Sequence, residues 1–405
     1  MSPNTIRIID KYVGQPICAF LTVLRRVFPT RRQREPRAIL FLKLVEQGAT
    51  VLAYSAIKNA VDRVGREKVF FCVFQRNRPI LDIMDVIPKD NVIEIRQSNI
   101  ILFGIDILKL LVRCRREKID TTIDMEFFSR ASAILAYLSG ARNRVGLHRF
   151  KSEFPYRGDL MTHRIQHNPY LHTSKAYLQL VESLNFDSKE VPMFKESVRS
   201  LVATTPKFAP SGDELRDMDA LINKKLGNTH QRPLILLNPN ASDMLPLRKW
   251  PTDRFIALGQ RLLRDYPDAP IVLTGAPSEK ASCEMVREQF DSDRVISVAG
   301  DTTLRELMVL YSLANVLVTN DSGPGHFASM TDVPTVVMFG PETPELFKPL
   351  SNNVHIIWTN LACSPCVNAF NHRFSPCTDN VCMKEISVDV VYEQVRNLLA
   401  DNASA

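Results

Sequence analysis

Residues 320–326 read Asn-Asp-Ser-Gly-Pro-Gly-His, the strongest chemical motif in the 405-residue chain. The run sits where an apolar strand pattern ends and a helix pattern begins. Gly323 and Gly325 let backbone approach a ligand closely, and the first N–H groups of a helix, with its dipole, favour an anion. A diphosphate is a natural occupant. Asp321 would repel phosphate and is better suited to accept hydrogen bonds from sugar hydroxyls or nearby backbone. An ordinary Asp or Ser N-cap is the competing reading, and the added Gly, Pro, Gly and His weigh against it. The second constellation is Cys363, Cys366, Cys377 and Cys382. Four thiolates at this spacing can form a tetrahedral structural zinc site, with His372 as an alternative ligand. Disulfides and reduced, unliganded thiols are the alternatives. A catalytic metal does not fit, because such a ligand set leaves no open position.

Composition narrows the partners. A net charge of +7 suits something anionic: a nucleotide, a phosphorylated glycolipid or a membrane surface. Much of the excess lies in one stretch, where Arg25, Arg26, Arg31, Arg32, Arg34 and Arg37 face only Glu35. No aromatic-interleaved basic surface or nucleic-acid module appears, which argues against nucleic acid. No apolar run reaches the ~20 residues a spanning helix needs. The short apolar run before the arginines lacks the order and cleavage site of a signal peptide. With no export signal and with Cys18, Cys72, Cys114 and Cys283 scattered singly, a reducing cytoplasmic setting is expected, with docking on the inner face of the cytoplasmic membrane as an option.

These residues need elements to position them. Residues 1–37 read as a basic and apolar leader. It is either an amphipathic helix resting on a membrane surface or a helix packed on the body with a solvated basic face. A continuous apolar run at 38–44 predicts a strand buried on both faces, as parallel sheets require, and further strands are predicted at 69–74, 91–95 and 121–125. Helical spacing follows Gly48 and recurs at 79–87, about 102–116 and 130–139. The alternation restarts in the second half, with strands at 234–238, 271–275, 295–299, 316–320, 335–340 and 354–358. Two doubly wound α/β domains are predicted, 38–205 and 206–405, with ligands at the strand carboxyl ends.

The stretch V-L-V-T-N-D-S-G-P-G-H-F-A-S-M-T-D-V-P-T-V-V-M-F-G-P resembles the donor-site segment of glycosyltransferase family 9, the bacterial heptosyltransferases. L-N-P-N-A-S before R-K-W-P, V-L-T-G-A-P-S-E, and A-I-L-A-Y-L-S-G-A-R-N-R-V-G resemble further segments, in the family's order. The resemblance covers about 38–400 and implies a GT-B fold, two facing Rossmann-like domains with a cleft between them. It also implies inverting transfer of a sugar, often heptose from an ADP-sugar, to lipopolysaccharide core or a related glycan.

Roles follow from the resemblance residue by residue. Arg248 and Lys249 stand where the family has cations and would neutralise the diphosphate leaving group. Asn240, Ser242 and Thr274 would line the nucleotide-sugar site. Glu279 would meet ribose hydroxyls or serve as a first-turn acid. Ser322, Gly323 and Gly325 would contact phosphate through backbone, and His326 would donate to phosphate or hold the loop. Asp321 and Lys249 are assigned to the catalytic set. No metal is needed for catalysis. The first domain departs from the family pattern. Gly48 is kept, but Ala49 stands where the family has the Asp assigned as base. Glu46 is the nearest carboxylate and the expected replacement, Asp124 a second candidate, and Lys43 would meet acceptor phosphate. Ala49 keeps open a lapsed sugar-nucleotide-binding protein, and the architecture keeps open a nucleotide-sugar epimerase.

Overall fold

The computed structural model describes residues 8–28, 35–150, 155–241, 245–371 and 373–403. The chain divides into two units. Unit 1 holds the residues up to Thr204 with the short segment Asn368–Phe374, and unit 2 holds Thr205–Val367 with Ser375–Ala405.

Unit 1 contains the strands β1 Ile39–Leu42, β2 Val69–Phe74, β3 Val92–Ile95, β4 Thr121–Asp124, β5 Asn143–Leu147 and β6 His163–Ile165. They pair in the order β3-β2-β1-β4-β5-β6, all parallel. β1 (Ile-Leu-Phe-Leu) and β2 (Val-Phe-Phe-Cys-Val-Phe) are unbroken apolar runs because helices bury both faces, and the Thr-Thr-Ile-Asp of β4 is buried as well. Unit 2 repeats the plan with β7 Ile235–Asn238, β8 Ile271–Leu273, β9 Val295–Ser297, β10 Val316–Asn320, β11 Thr335–Phe339 and β12 Val354–Trp358. Its order is β12-β11-β10-β7-β8-β9, again all parallel. In each sheet the first strand lies beside the fourth, where the order of connection reverses and loops diverge at the carboxyl ends.

Local signals mark the helix ends. Asn99 caps Ile100–Arg116 by accepting from Ile101 N–H at 2.7 Å. Ser211 with Glu214, and Thr303 with Glu306, form capping boxes at Gly212–Leu226 and Leu304–Leu313. Gly140 takes φ +79° just past Arg130–Leu138, as expected of a C-cap glycine.

The patterning missed β5 and β6. Arg144 within β5 is buried, and its guanidinium donates to the carbonyls of Leu160 (2.7 Å) and Ala141 (2.5 Å). Asn143 donates to Thr121 Oγ1 at 3.1 Å. Paired polar side chains thus occupy strand positions that read as loop. The leader contains the helix Gln15–Val27, whose Cys18 and Leu21 are buried in the unit 1 core. Asp10, ahead of it, pairs with the buried Arg130 at 2.7 Å, so this segment is packed on the body. Arg31, Arg32 and Arg34 lie outside the described residues. Among the described residues no helix is long and apolar enough to cross a membrane.

Candidate functional site

In unit 2 the two loops singled out in the sequence leave neighbouring strands. One follows β7 and runs to Trp250; the other follows β10 and opens at Asp321. Asn320, the last residue of β10, ties them together. Its amide donates to Asn240 O at 2.9 Å and its Oδ1 accepts from Trp250 N–H at 2.9 Å. Trp250 is fully buried, and its indole N–H donates to Ile386 O at 2.9 Å, so the end of the loop is anchored.

Arg248 stands between two carboxylates. It donates to Glu342 Oε2 and to Asp321 O, the latter at 3.2 Å. Its Nε lies 3.5 Å from Asp321 Oδ2, close enough for an ion pair but too far for a hydrogen bond. Asp321 Oδ2 has no hydrogen-bond donor among the described residues. Burial pushes the carboxyls of Asp321 and Glu342 above the usual carboxylate range, and the Arg248 guanidinium pulls both back. The positive charge expected on a diphosphate is thus matched inside the protein. Lys249 is half-buried and makes no ion pair among the described residues.

Several expected ligand residues have structural tasks. Thr274 is fully buried, and its Oγ1 accepts from Asn238 Nδ2 at 3.0 Å, so it sets the β7–β8 ends and presents nothing to solvent. Asn240 is buried and donates to Thr274 O (3.1 Å) and Cys283 Sγ (3.2 Å). Glu279 accepts from Ala276 N–H at 2.7 Å, which closes the turn after β8. Ser242 lies outside the described residues.

Helix Gly323–Ala328 has six residues, too short for a sizeable dipole, so its backbone N–H groups matter more than its length. Ser322 precedes it in extended conformation, with its hydroxyl on Asn320 O at 3.2 Å and no helix-capping bond. At Gly325 a Cβ would sit 3.2 Å from Val337 Cγ2, a tight contact that the valine would have to relieve by a few tenths of an ångström. At Gly323 a Cβ would meet only the Phe327 ring, at 3.0 Å. His326 is buried in the same helix.

In unit 1, Lys43 follows β1 and its side chain is fully buried. Its Nζ donates to Glu126 Oε2 (3.1 Å) and Glu46 Oε2 (3.2 Å). Glu126 Oε1 in turn accepts from Leu44 N–H at 2.6 Å and Val45 N–H at 3.2 Å. The other oxygen of Glu46 pairs with the Arg373 guanidinium. Glu46 holds φ +71°, left-handed backbone unusual for a residue with a Cβ, at the start of helix Gln47–Leu52 that buries Gly48 and Ala49. Burial lowers the Arg373 guanidinium to about 10. Asp124 is fully buried. It pairs with the buried Arg157, and accepts from Ser132 Oγ (2.9 Å) and Glu126 N–H (3.0 Å). Of the two carboxylates expected as bases, only Glu46 is solvent-accessible, at 23%.

Glu126, Glu342 and Arg373 were not singled out in the sequence, and Asn320 was noted only as the start of the 320–326 motif, without a role. Glu126 and Glu342 each lie two or three residues past a strand, a position that could have flagged them. Arg373 comes from a distant segment and carries no local signal.

The four clustered cysteines and the other four are all free thiols. Burial, with Cys366, Cys363 and Cys377 as neighbours, pushes the Cys382 thiol up to about 11. Among the described residues no group of three or more His, Cys, Asp or Glu is disposed to hold a metal. His372 lies outside them.

Two Rossmann-like units with this strand order define the GT-B class, and solved structures of that class share the fold. The E. coli ADP-heptose lipopolysaccharide heptosyltransferase II matches with TM-score 0.69 and 19% identity, covering 90% of this chain and 99% of that one. E. coli heptosyltransferase WaaC with ADP matches with TM-score 0.58 and 15% identity, covering 89% and 99%. Residues 107–373 match glycosyltransferase family 9 (heptosyltransferase), and the chain belongs to that family. Lipooligosaccharide heptosyltransferase 2 of Campylobacter jejuni is 29% identical over 186 residues, 42% of this chain and 55% of the relative. Its counterpart in Haemophilus ducreyi is 27% identical over 231 residues, 56% and 62%. The chain thus spans little more than half the length of these two curated relatives.

Proposed function

We propose that this protein is an inverting glycosyltransferase that moves heptose from a nucleotide-diphosphate sugar, ADP-heptose, to a lipopolysaccharide core or related glycan. The observation that carries the reading is the convergence of the β7 and β10 loops at the point where the strand order of unit 2 reverses, the usual ligand position in such sheets. Family membership and the names of the relatives support the choice of sugar and acceptor. The acceptor hydroxyl oxygen attacks the anomeric carbon, and the carbon–oxygen bond to diphosphate breaks with its electron pair leaving on the diphosphate. Lys249 and the backbone N–H groups after Ser322 stabilise that charge. Asp321 Oδ2 accepts from a sugar hydroxyl. Glu46 takes the acceptor proton, with Lys43 beside it. The cation, the backbone donors and the base belong to the protein, so no metal is required for the transfer.

The second reading, a sugar-nucleotide-binding protein without turnover, draws on Ala49 and on the pairing of both Glu46 oxygens. One assay separates the two. ADP-heptose and other nucleotide sugars are offered with heptose-deficient core glycolipid, and released nucleotide is measured for the wild type and Glu46→Gln. Acceptor-dependent release lost in Glu46→Gln, with donor binding intact, supports the transferase. Donor binding without release on any acceptor supports the binding protein.

A further inference from the structure

The helical layer on one side of the unit 1 sheet has an inverted exterior. Helices Gln15–Val27 and Ile100–Arg116 bury Cys18, Leu21, Leu110 and Cys114 in one core cluster with Leu40, Leu42 and Phe70. The outward faces should then be polar. Instead Phe20, Val23 and Val27 on the first helix, and Ile101, Leu108 and Val112 on the second, are each more than half exposed. The second set repeats at helical spacing, so it forms a stripe along that helix. Exposed apolar area of this extent marks an interaction surface.

The charges indicate its partner. Gln15–Val27 carries Arg25 and Arg26 and no acid. Ile100–Arg116 carries Lys109, Arg113, Arg115 and Arg116, and its single acid, Asp106, is buried against Arg96 at 2.7 Å. Beside the first helix lies a recess of about 370 Å³ lined by Thr22, Arg26, His148, Arg149, Asp159 and Arg164. Among the described residues Asp159 is the single carboxylate lining it, and it is shared by Arg25 (2.9 Å) and Arg164 (3.0 Å). Apolar side chains flanked by guanidinium groups match a headgroup–acyl boundary with phosphates. A second copy is a poorer match, because a two-fold contact would set the same cations against themselves.

We propose that unit 1 docks on an anionic lipid bilayer through the outer faces of helices Gln15–Val27 and Ile100–Arg116, with the arginines beside them on lipid phosphate. The surface needs no sugar transfer to act, so its test is independent of the activity. The full-length protein is floated with vesicles of phosphatidylcholine containing about 30% phosphatidylglycerol, and with phosphatidylcholine alone. Wild type floats with the anionic vesicles, less at high salt, and weakly with the neutral ones. The paired variants Phe20→Asp/Val23→Asp and Leu108→Asp/Val112→Asp each lose about tenfold or more of that binding. Circular dichroism melting checks that they fold, and because the pairs lie on different helices, one folded pair suffices. Wild type left behind by anionic vesicles, or folded variants that float as wild type does, would overturn the proposal. So would a wild-type dimer that becomes monomeric in the variants while vesicle binding is unchanged.

Discussion

Replacing Arg248 by Met separates the internal and external charges of the unit 2 site. The side chain pairs with Glu342, 1% exposed, and Asp321, 4% exposed. Removing one member of a buried ion pair costs about 3–5 kcal/mol, chiefly because the remaining charge has no partner. For a unit of this size that lowers the melting transition by roughly 10 °C. Lys249→Met removes a cation that holds no ion pair among the described residues, so its melting transition stays within a degree or two of wild type. Its acceptor-dependent nucleotide release falls about 10²–10³-fold, the usual loss when one charge stabiliser of a leaving group is removed.

The pH dependence has a definite sign. Burial holds the two carboxyls above their ordinary range. Between the ordinary and the folded value, the unfolded chain has released protons that the folded chain keeps. Stability therefore falls as pH rises through that interval. Arg248 pulls both carboxyls back, so its loss widens the interval. The Arg248→Met deficit is largest at about pH 8 and shrinks toward about pH 5. Calorimetry on both variants at the two pH values checks this. Equal melting shifts for Arg248→Met and Lys249→Met, or an Arg248→Met deficit that grows on acidification, would refute the reasoning.

Glu46→Gln lowers acceptor-dependent release about 10²–10⁴-fold with donor affinity unchanged by calorimetric titration; full activity would remove Glu46 as the base. Asp124→Asn leaves the buried Arg157 without its charge partner and costs about 3–5 kcal/mol in denaturant unfolding. If Asp124 were instead the base, that variant would lose turnover under conditions where it remains folded. Nucleotide release survives EDTA, since the proposed transfer uses no catalytic metal; loss restored by a divalent cation would contradict that assignment. The four cysteines are not disposed around a metal among the described residues, so structural zinc is a proposal from their spacing alone: it requires about one zinc per chain by elemental analysis, lost in Cys363→Ser/Cys382→Ser. Metal-free wild type would leave four reduced thiols.

Most strands of both sheets were legible because burial on both faces makes them unbroken apolar runs, as in Val69–Phe74 and Thr335–Phe339. β5 was not, because tertiary hydrogen bonds to Arg144 and Asn143 satisfy groups that a sequence window scores as surface. The loops after β7 and β10 were legible for a different reason. Gly325 packs tightly under Val337 and Asn320 bridges two chain segments, so residue type is constrained locally. What each polar group does there was less legible. Arg248 and Thr274 look like ligand residues in a motif, and only their partners reveal that one is charge-matched internally and the other is sealed under Asn238.

The same distinction bears on the missing aspartate at Ala49. A substituted base is credible only if something else shapes the turn to present it. Glu46 adopts a left-handed conformation that costs of order 1–3 kcal/mol for a residue with a Cβ, and neighbouring contacts must offset that cost. Lys43 Nζ on one oxygen and the Arg373 guanidinium on the other provide those contacts. Glu46→Gly would relieve the backbone while removing the carboxylate, so it should retain stability better than Glu46→Ala, which keeps the Cβ and loses both ion pairs. If the two variants melt together, the turn is not strained. The case for a relocated base would then rest on the Glu46→Gln kinetics alone.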